Sequence, residues 1–322
     1  MKNNINTRFT SAFEEDVYTG LTSYPKHLSS KYFYDKKGDK LFQDIMNLPE
    51  YYLTNCEYNI LETNTQEIAE AFSGPDGFDL IELGAGDGKK TKLLLRYLTH
   101  NNIDFDYLPV DISQNALNEL EGSLKKEFPS ISVKPQQGTY FKTLERLADY
   151  NSRKKVILVL GSNIGNLLHK DAIDFLRQIQ EAMSPDDMLF MGFDQKKDPQ
   201  VILDAYNDPT GITAAFNKNV LERINNELGG NFDLDSFKHW ETYNPETGTA
   251  KSFLISKEKQ TVRVNKLDLT VSFEAWESIH TEISQKYDDK IVEWLASQAD
   301  LKVTNSFKDE KDYYKNYIFR KK

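Results

Sequence analysis

The chain has 322 residues, 39% hydrophobic and 28% charged, enough to bury a sizeable core as one large domain or two modest ones. Its net charge of −10 argues against nucleic acid as a partner, because phosphate backbones reward basic surfaces. No apolar stretch approaches the ~20 residues that a bilayer-spanning helix needs, and the lone cysteine, Cys56, excludes an internal disulfide and fits a reducing compartment.

The opening stretch Met1-Lys2-Asn3-Asn4-Ile5-Asn6 lacks the apolar segment of a signal peptide, so a cytoplasmic location is expected. The first 60 residues are aromatic and turn-rich, with helical patterns at 40–46 and again at 56–72. An apolar run at 78–83 then meets three glycines at alternate positions, Gly84, Gly86 and Gly88, and a helical pattern follows over 91–99. Strand, glycine turn and helix in that order let backbone approach a nucleotide-bearing ligand, since glycine accepts unusual φ/ψ and keeps side chains away. The spacing is neither the G-x-G-x-x-G dinucleotide fingerprint nor a P-loop. With Glu82 two residues before the first glycine, it points to S-adenosylmethionine (SAM) rather than NAD or ATP. A tight turn without a ligand is the alternative. The next strand, 106–111, ends in Asp111, placed to receive ribose hydroxyls. Asp111 or Ser113 can equally cap the helix at 114–126.

Strands at 131–136, 156–160 and 188–193 alternate with helices at 169–183 and 198–208. That alternation predicts a parallel sheet with helices on both faces. Val156-Ile157-Leu158-Val159-Leu160 is apolar on both faces, as a central strand should be. From about 200 to 275 the sequence turns polar, aromatic and irregular, closing on alternating segments at 261–265 and 267–271 that read as strands. A helix near 276–298 follows. Two last strands, 301–307 and 313–320, flank the charged turn Lys308-Asp309-Glu310-Lys311-Asp312 and read as an antiparallel hairpin. The expected fold is therefore α/β. A doubly wound class I SAM-dependent methyltransferase sheet with a terminal antiparallel hairpin occupies 61–196 and 286–322. A smaller α+β substrate-recognition domain is assembled from 1–60 and 197–285. The five histidines show no metal-ligand spacing, so no metal is expected, and no G-x-S-x-G elbow suggests a hydrolase.

The 156–160 strand delivers Gly161-Ser162-Asn163-Ile164-Gly165-Asn166 to the carboxyl edge of the sheet, where open α/β folds bind ligands. Such an Asn/Gly-rich stretch is also ordinary turn chemistry. Together with Tyr32-Phe33-Tyr34-Asp35, Gly38 and Leu48-Pro49-Glu50-Tyr51-Tyr52, it resembles the histidine-specific SAM-dependent methyltransferases. The resemblance continues through Ala205-Tyr206-Asn207-Asp208, Gly211-Ile212-Thr213-Ala214-Ala215-Phe216-Asn217-Lys218-Asn219 and Thr281-Glu282-Ile283-Ser284. It spans almost the whole chain in order. Members of that family trimethylate the α-amino group of L-histidine to hercynine, the first step of ergothioneine synthesis.

The resemblance implies that Gly84, Gly86, Lys90 and Asp111 contact SAM, with Lys90 facing the carboxylate of its methionine part. It places Tyr51, Asn166 and Tyr206 around the amino and carboxylate groups of histidine, Tyr34 beside the reacting nitrogen, and Glu282 and Ser284 at the imidazole. A neutral imidazole offers one donor and one acceptor, which a carboxylate and a hydroxyl can serve. Residues two apart do not share a helix face, so Glu282 and Ser284 are expected in a strand-like or irregular segment; a helix-capping cluster is the alternative. Tyr34, Tyr51, Tyr206 and Phe216 are candidates for an aromatic surround to the quaternary ammonium product. Where the family carries Gly-Asp-Phe, this chain has Gly138-Thr139-Tyr140, so Thr139 and Tyr140 stand at the adenine with an uncharged acceptor. Asn163 likewise replaces a common threonine. The implied partner is L-histidine, acted on by a monomer without nucleic acid or membrane. The rivals are an N-methyltransferase for another amino acid such as tryptophan, and a non-catalytic SAM-binding regulatory module.

Overall fold

The computed structural model describes residues 9–148 and 153–322; the polar N-terminal stretch discussed above lies outside them. The chain divides into two compact units. The first comprises the residues up to Tyr52 together with Lys197–Ser284, and the second Leu53–Lys196 with Gln285–Lys322. Residues 53–60 therefore stand with the second unit.

The second unit is built on an eight-stranded sheet. Phe78–Leu83 pairs in parallel with Phe105–Asp111 on one side and Lys154–Val159 on the other, and Lys154–Val159 pairs in parallel with Met188–Asp194. The chain thus winds outward from Phe78–Leu83, then returns to its other flank, which makes the carboxyl ends of Phe78–Leu83 and Lys154–Val159 the switch point where open sheets bind ligands. Tyr314–Lys321 adds antiparallel to Met188–Asp194, and Leu301–Lys308 pairs antiparallel with it, giving the expected terminal hairpin. Phe78–Leu83 and Met188–Asp194 are buried along their whole length. The core includes Ile81, Leu108, Ile157, Leu176, Leu189, Phe193 and Tyr317.

Several sequence readings change. The 131–136 segment is two short pieces, Ser132–Val133 and Gln136–Gln137, each pairing with Phe105–Asp111; Pro135 between them has no N–H to give a continuous ladder. The single helix read at 56–72 is two, Tyr52–Thr63 and Thr65–Phe72. The helix read from 276 starts only at Asp289, where the Asp288 side chain accepts from Ile291 N, because the preceding residues form the strand Ser278–Gln285.

The first unit carries a four-stranded sheet whose order is Lys26–His27, Ser278–Gln285, Thr249–Ser256, Phe237–Asn244. A separate hairpin pairs Gln260–Val264 with Leu269–Phe273. The supposedly irregular 200–275 stretch contains the long helix Ile212–Leu228 and two full strands. Polar burial hid them. Asn217 and Asn219 lie on the buried face of the helix, and His239 and Glu241 face inward on the strand while Trp240 faces out. The core gathers Val17, Phe33, Phe216, Val220, Ile224, Phe237, Leu254 and Ile279.

Candidate active site

In the second unit the glycine turn takes the backbone its composition foretold: Gly84, Gly86 and Gly88 have φ of 76°, 53° and 64°. Only glycine adopts this region without strain. A Cβ on Gly84 would stand 2.4 Å from the Tyr140 hydroxyl, whereas one on Gly86 would meet no protein atom within 4 Å. Tyr140 thus closes one side of the turn and Gly86 leaves the other open to backbone approach. Asp111 accepts from Ser113 N at 2.9 Å and, more distantly, from Gly86 N at 3.4 Å. The helix cap falls to Ser113, which accepts from Ala116 N, so the Asp111 carboxylate keeps lone pairs for sugar hydroxyls beside the turn. Thr139 is exposed just ahead of the helix Tyr140–Ala148. Burial, then the nearby Asp111 and Glu82 carboxylates, push the Tyr140 phenol up. These residues fit an adenosine-bearing group: a cradle free of Cβ atoms, an acid at the second strand's end and an aromatic ring alongside.

Lys90 stands at the N-cap of helix Thr91–His100. Its ammonium is paired with Glu57, whose side chain is wholly buried, while Lys90 itself stays 22% exposed. Sequence reasoning missed Glu57. The available signal was an acid set into an apolar helical stripe, with Leu53, Cys56, Ile60 and Leu61 all buried around it. Glu82 is buried behind the turn, accepting from Thr91 Oγ1 at 2.7 Å and from the Tyr107 hydroxyl. Burial pushes its carboxyl up to about 7.

The loop after Lys154–Val159 is held on several sides. Gly161 and Ser162 both have positive φ, 85° and 56°, an uncommon state for serine. Gly161 N donates to Glu57 Oε2 at 2.7 Å, Ser162 Oγ accepts from Asp194 N at 3.0 Å, and the Tyr287 hydroxyl donates to Ile164 O at 3.0 Å. Gly165 packs where a Cβ would be 3.2 Å from Gln285 O. The turn ends on exposed Asn166.

In the first unit the predicted aromatic residues form a connected run. The Tyr34 ring meets Phe216 edge-on at 5.3 Å and Phe42 at 5.5 Å. Phe42 continues to Tyr51 at 6.3 Å, and Tyr51 to Tyr206 at 6.4 Å. The Tyr206 hydroxyl closes the run on Ser284 Oγ at 2.7 Å. Glu282 and Ser284 lie in the strand Ser278–Gln285, where residues two apart share a face; the helix-cap alternative falls away. The preceding Thr281 turns the other way, donating to Asn217 Oδ1 at 2.9 Å and Ser252 O at 3.0 Å.

Supporting residues hold this run, and the sequence reading gave them no role. Asn219 donates to Phe33 O at 2.9 Å and Asp35 Oδ1 at 2.8 Å, and Arg223 to Tyr32 O and Tyr34 O at 3.1 and 3.2 Å. The helix Ile212–Leu228 thereby fixes the backbone that presents Tyr34, which is 42% exposed. Asp208 caps that helix through Ile212 N and Thr213 N. Burial would raise its pKa, but hydrogen bonds from Thr210, Thr213 and Ile212 outweigh it and hold the carboxyl at about 2. His239 Nε2 donates to Tyr206 O at 2.9 Å, and burial holds its imidazole below the usual histidine range. Among the described residues no group of three metal-binding side chains gathers, and no helix is long and apolar enough to cross a membrane.

Residues 13–321 match the family model described as histidine-specific methyltransferase, SAM-dependent. The histidine N-alpha-methyltransferase of Mycolicibacterium smegmatis is 37% identical over 298 residues, covering 92% of this chain and 91% of that one. The enzyme of the same name from Mycobacterium tuberculosis is 37% identical over 281 residues, 87% and 86% of the two chains. Ergothioneine biosynthesis protein 1 of Schizosaccharomyces pombe is 30% identical over 301 residues, which is 91% of this chain and 39% of that longer protein.

Proposed function

The chain belongs to the histidine-specific, SAM-dependent methyltransferases, and on that premise we propose that it trimethylates the α-amino group of L-histidine to hercynine, the first step of ergothioneine biosynthesis. The observation that carries this reading is the aromatic run from Tyr34 to Tyr206 ending in a hydrogen bond to Ser284. It joins a cation-tolerant surface to a hydroxyl suited to imidazole.

In this reading Gly84, Gly86, Lys90, Asp111, Thr139 and Tyr140 hold SAM. Tyr51, Asn166 and Tyr206 serve the amino and carboxylate groups of histidine, Glu282 and Ser284 its imidazole, and Tyr34 the reacting nitrogen. SAM supplies a sulfonium-activated methyl group, and the protein supplies position and electrostatics. An α-ammonium with a pKa of about 8 must shed one proton before each transfer. Tyrosine hydroxyls align the lone pair without acting as strong bases at neutral pH. The trimethylated product has no N–H left, and its fixed charge is stabilised by an exposed ring face such as that of Tyr34, which Phe216 backs from the core. We further propose that the protein works as a cytoplasmic monomer without metal; the sulfonium already activates the methyl group, so the transfer needs no Lewis acid, which supports the last point.

The test is purified protein with SAM and each amino acid in turn, with mass spectrometry of the products. Mono-, di- and trimethylated histidine on the α-nitrogen is expected. Methyl groups on a ring nitrogen, or methylation of tryptophan in preference to histidine, would overturn the assignment.

A further inference from the structure

Glu57 lies outside every motif that carries the family resemblance. It sits on the helix Tyr52–Thr63, and its carboxylate is buried at the switch point of the sheet. Oε2 accepts from Lys90 Nζ and from Gly161 N, while Oε1 accepts from Asn316 Nδ2 at 2.9 Å and the Tyr314 hydroxyl at 3.1 Å. A single oxygen therefore ties the last residue of the glycine turn to the first residue of the loop that leads to Asn166. The strand beside it makes room. A Cβ on Gly192 would stand 2.3 Å from both Glu57 Oε1 and the Tyr314 hydroxyl.

Stability alone does not account for this network. A wholly buried carboxylate and a largely covered ammonium lose hydration, and a well-packed apolar pair of similar volume is often as stable or more so. What an apolar pair cannot do is fix an ammonium and an amide at a set spacing. Lys90 has three N–H donors, of which Glu57 needs one, and its partial exposure leaves the others a route outward.

We propose that Glu57 is a positioning residue for SAM. It holds the Lys90 ammonium and the Gly161 amide as one frame, so that Lys90 meets the carboxylate of the methionine part in a fixed pose. The inference rests on the reading of Lys90 as a SAM contact. No covalent step involves Glu57.

The test measures S-adenosylhomocysteine binding by calorimetry, thermal unfolding, and the KM for SAM and for histidine. The proteins are the wild type, Glu57→Gln, Lys90→Met, their double variant and Tyr314→Phe. Glu57→Gln keeps the shape but loses the charge, and is expected to weaken binding by roughly ten- to hundredfold. The KM for SAM should rise while that for histidine stays. Because Glu57 acts through Lys90, the double variant should bind within about threefold of Lys90→Met rather than showing the product of both losses. Tyr314→Phe, which loosens only the far oxygen, should weaken binding a few-fold. A Glu57→Gln protein that melts lower yet binds S-adenosylhomocysteine like the wild type would make the network merely structural. Multiplying losses in the double variant would also overturn the proposal. Should Glu57→Gln fail to fold, unchanged binding by Tyr314→Phe would overturn it and weakened binding would support it. A wild type that binds no S-adenosylhomocysteine would instead bring down the cofactor reading beneath it.

Discussion

The two units hold their functional groups by opposite means. In the second unit the groups that would meet SAM are placed chiefly by backbone: glycines at positive φ, and the Gly161 amide drawn onto the buried Glu57 carboxylate. In the first unit side chains are placed by other side chains, through edge-on rings and through Asn219, Arg223 and His239 gripping backbone carbonyls. The contrast teaches where each unit is vulnerable. The second fails where a side chain is added; the first weakens by degrees as supports are removed.

The largest break should come at Gly86. A Cβ there would meet no protein atom within 4 Å, but φ is 53°, so a valine costs the fold backbone strain of about 1–2 kcal/mol. Binding of S-adenosylhomocysteine should nevertheless vanish in calorimetry. Retained affinity within threefold of the wild type would remove the turn from the cofactor site.

Next is the acid behind that turn. Glu82 has an ordinary value of 4.5 and is pushed up to about 7 in the fold, chiefly by burial. The native state therefore holds this proton more tightly than the unfolded chain. Its contribution is most favourable below pH 4.5 and is lost as pH rises toward 7. Urea midpoints at pH 5 and pH 8 should show Glu82→Gln losing on the order of 2–3 kcal/mol of the wild type's decline. An unchanged decline would mean that the buried carboxyl ionises without penalty.

In the first unit, Glu282→Ala should cost histidine about 1.5–3 kcal/mol of binding, the worth of a hydrogen bond to a charged group, with SAM binding intact. Activity on tryptophan should rise relative to histidine, because an apolar side chain no longer strands a carboxylate. If the preference between the two did not move, Glu282 would have no claim on specificity.

The smallest effect sharpens the idea of graded support. Asn219→Ala removes two hydrogen bonds beneath Tyr34, a loss of roughly 1–2 kcal/mol in stability. Turnover should fall several-fold while S-adenosylhomocysteine binding holds. Full turnover in a correspondingly destabilised protein would show that Tyr34 needs no such support.

The same contrast explains what the sequence revealed. Glycine is punctuation, so the turn at Gly84–Gly88, the Gly161 loop and the strand–helix alternation of a doubly wound sheet could be read directly, down to the terminal hairpin. The spacing of Glu282 and Ser284 suited no helix face, yet the hydropathy pattern around them read as a helix from 276, and only the fold shows the strand Ser278–Gln285 that carries both. The helix Ile212–Leu228 was not legible, since buried Asn217 and Asn219 blunt its apolar stripe. Nor was the Phe237–Asn244 strand, whose inward face carries His239 and Glu241. Glu57 escaped because nothing local marks an acid whose partners, Gly161 and Asn316, are 104 and 259 residues away. Burial of polar groups is a tertiary decision, and a pattern of hydropathy reads it as surface.

Gly192 carries a consequence for how this protein can change. Its missing side chain is space shared by Glu57 and Tyr314, so no side chain can be added at 192 while both keep their present size. An alanine at 192 would demand both a shorter acid at 57 and a smaller ring at 314, since its Cβ would press on both side chains at once. Among related chains a side chain at 192 should come with smaller residues at 57 and 314, and a lineage that had lost the glycine would have had to rebuild the grip on Lys90 from some other residue.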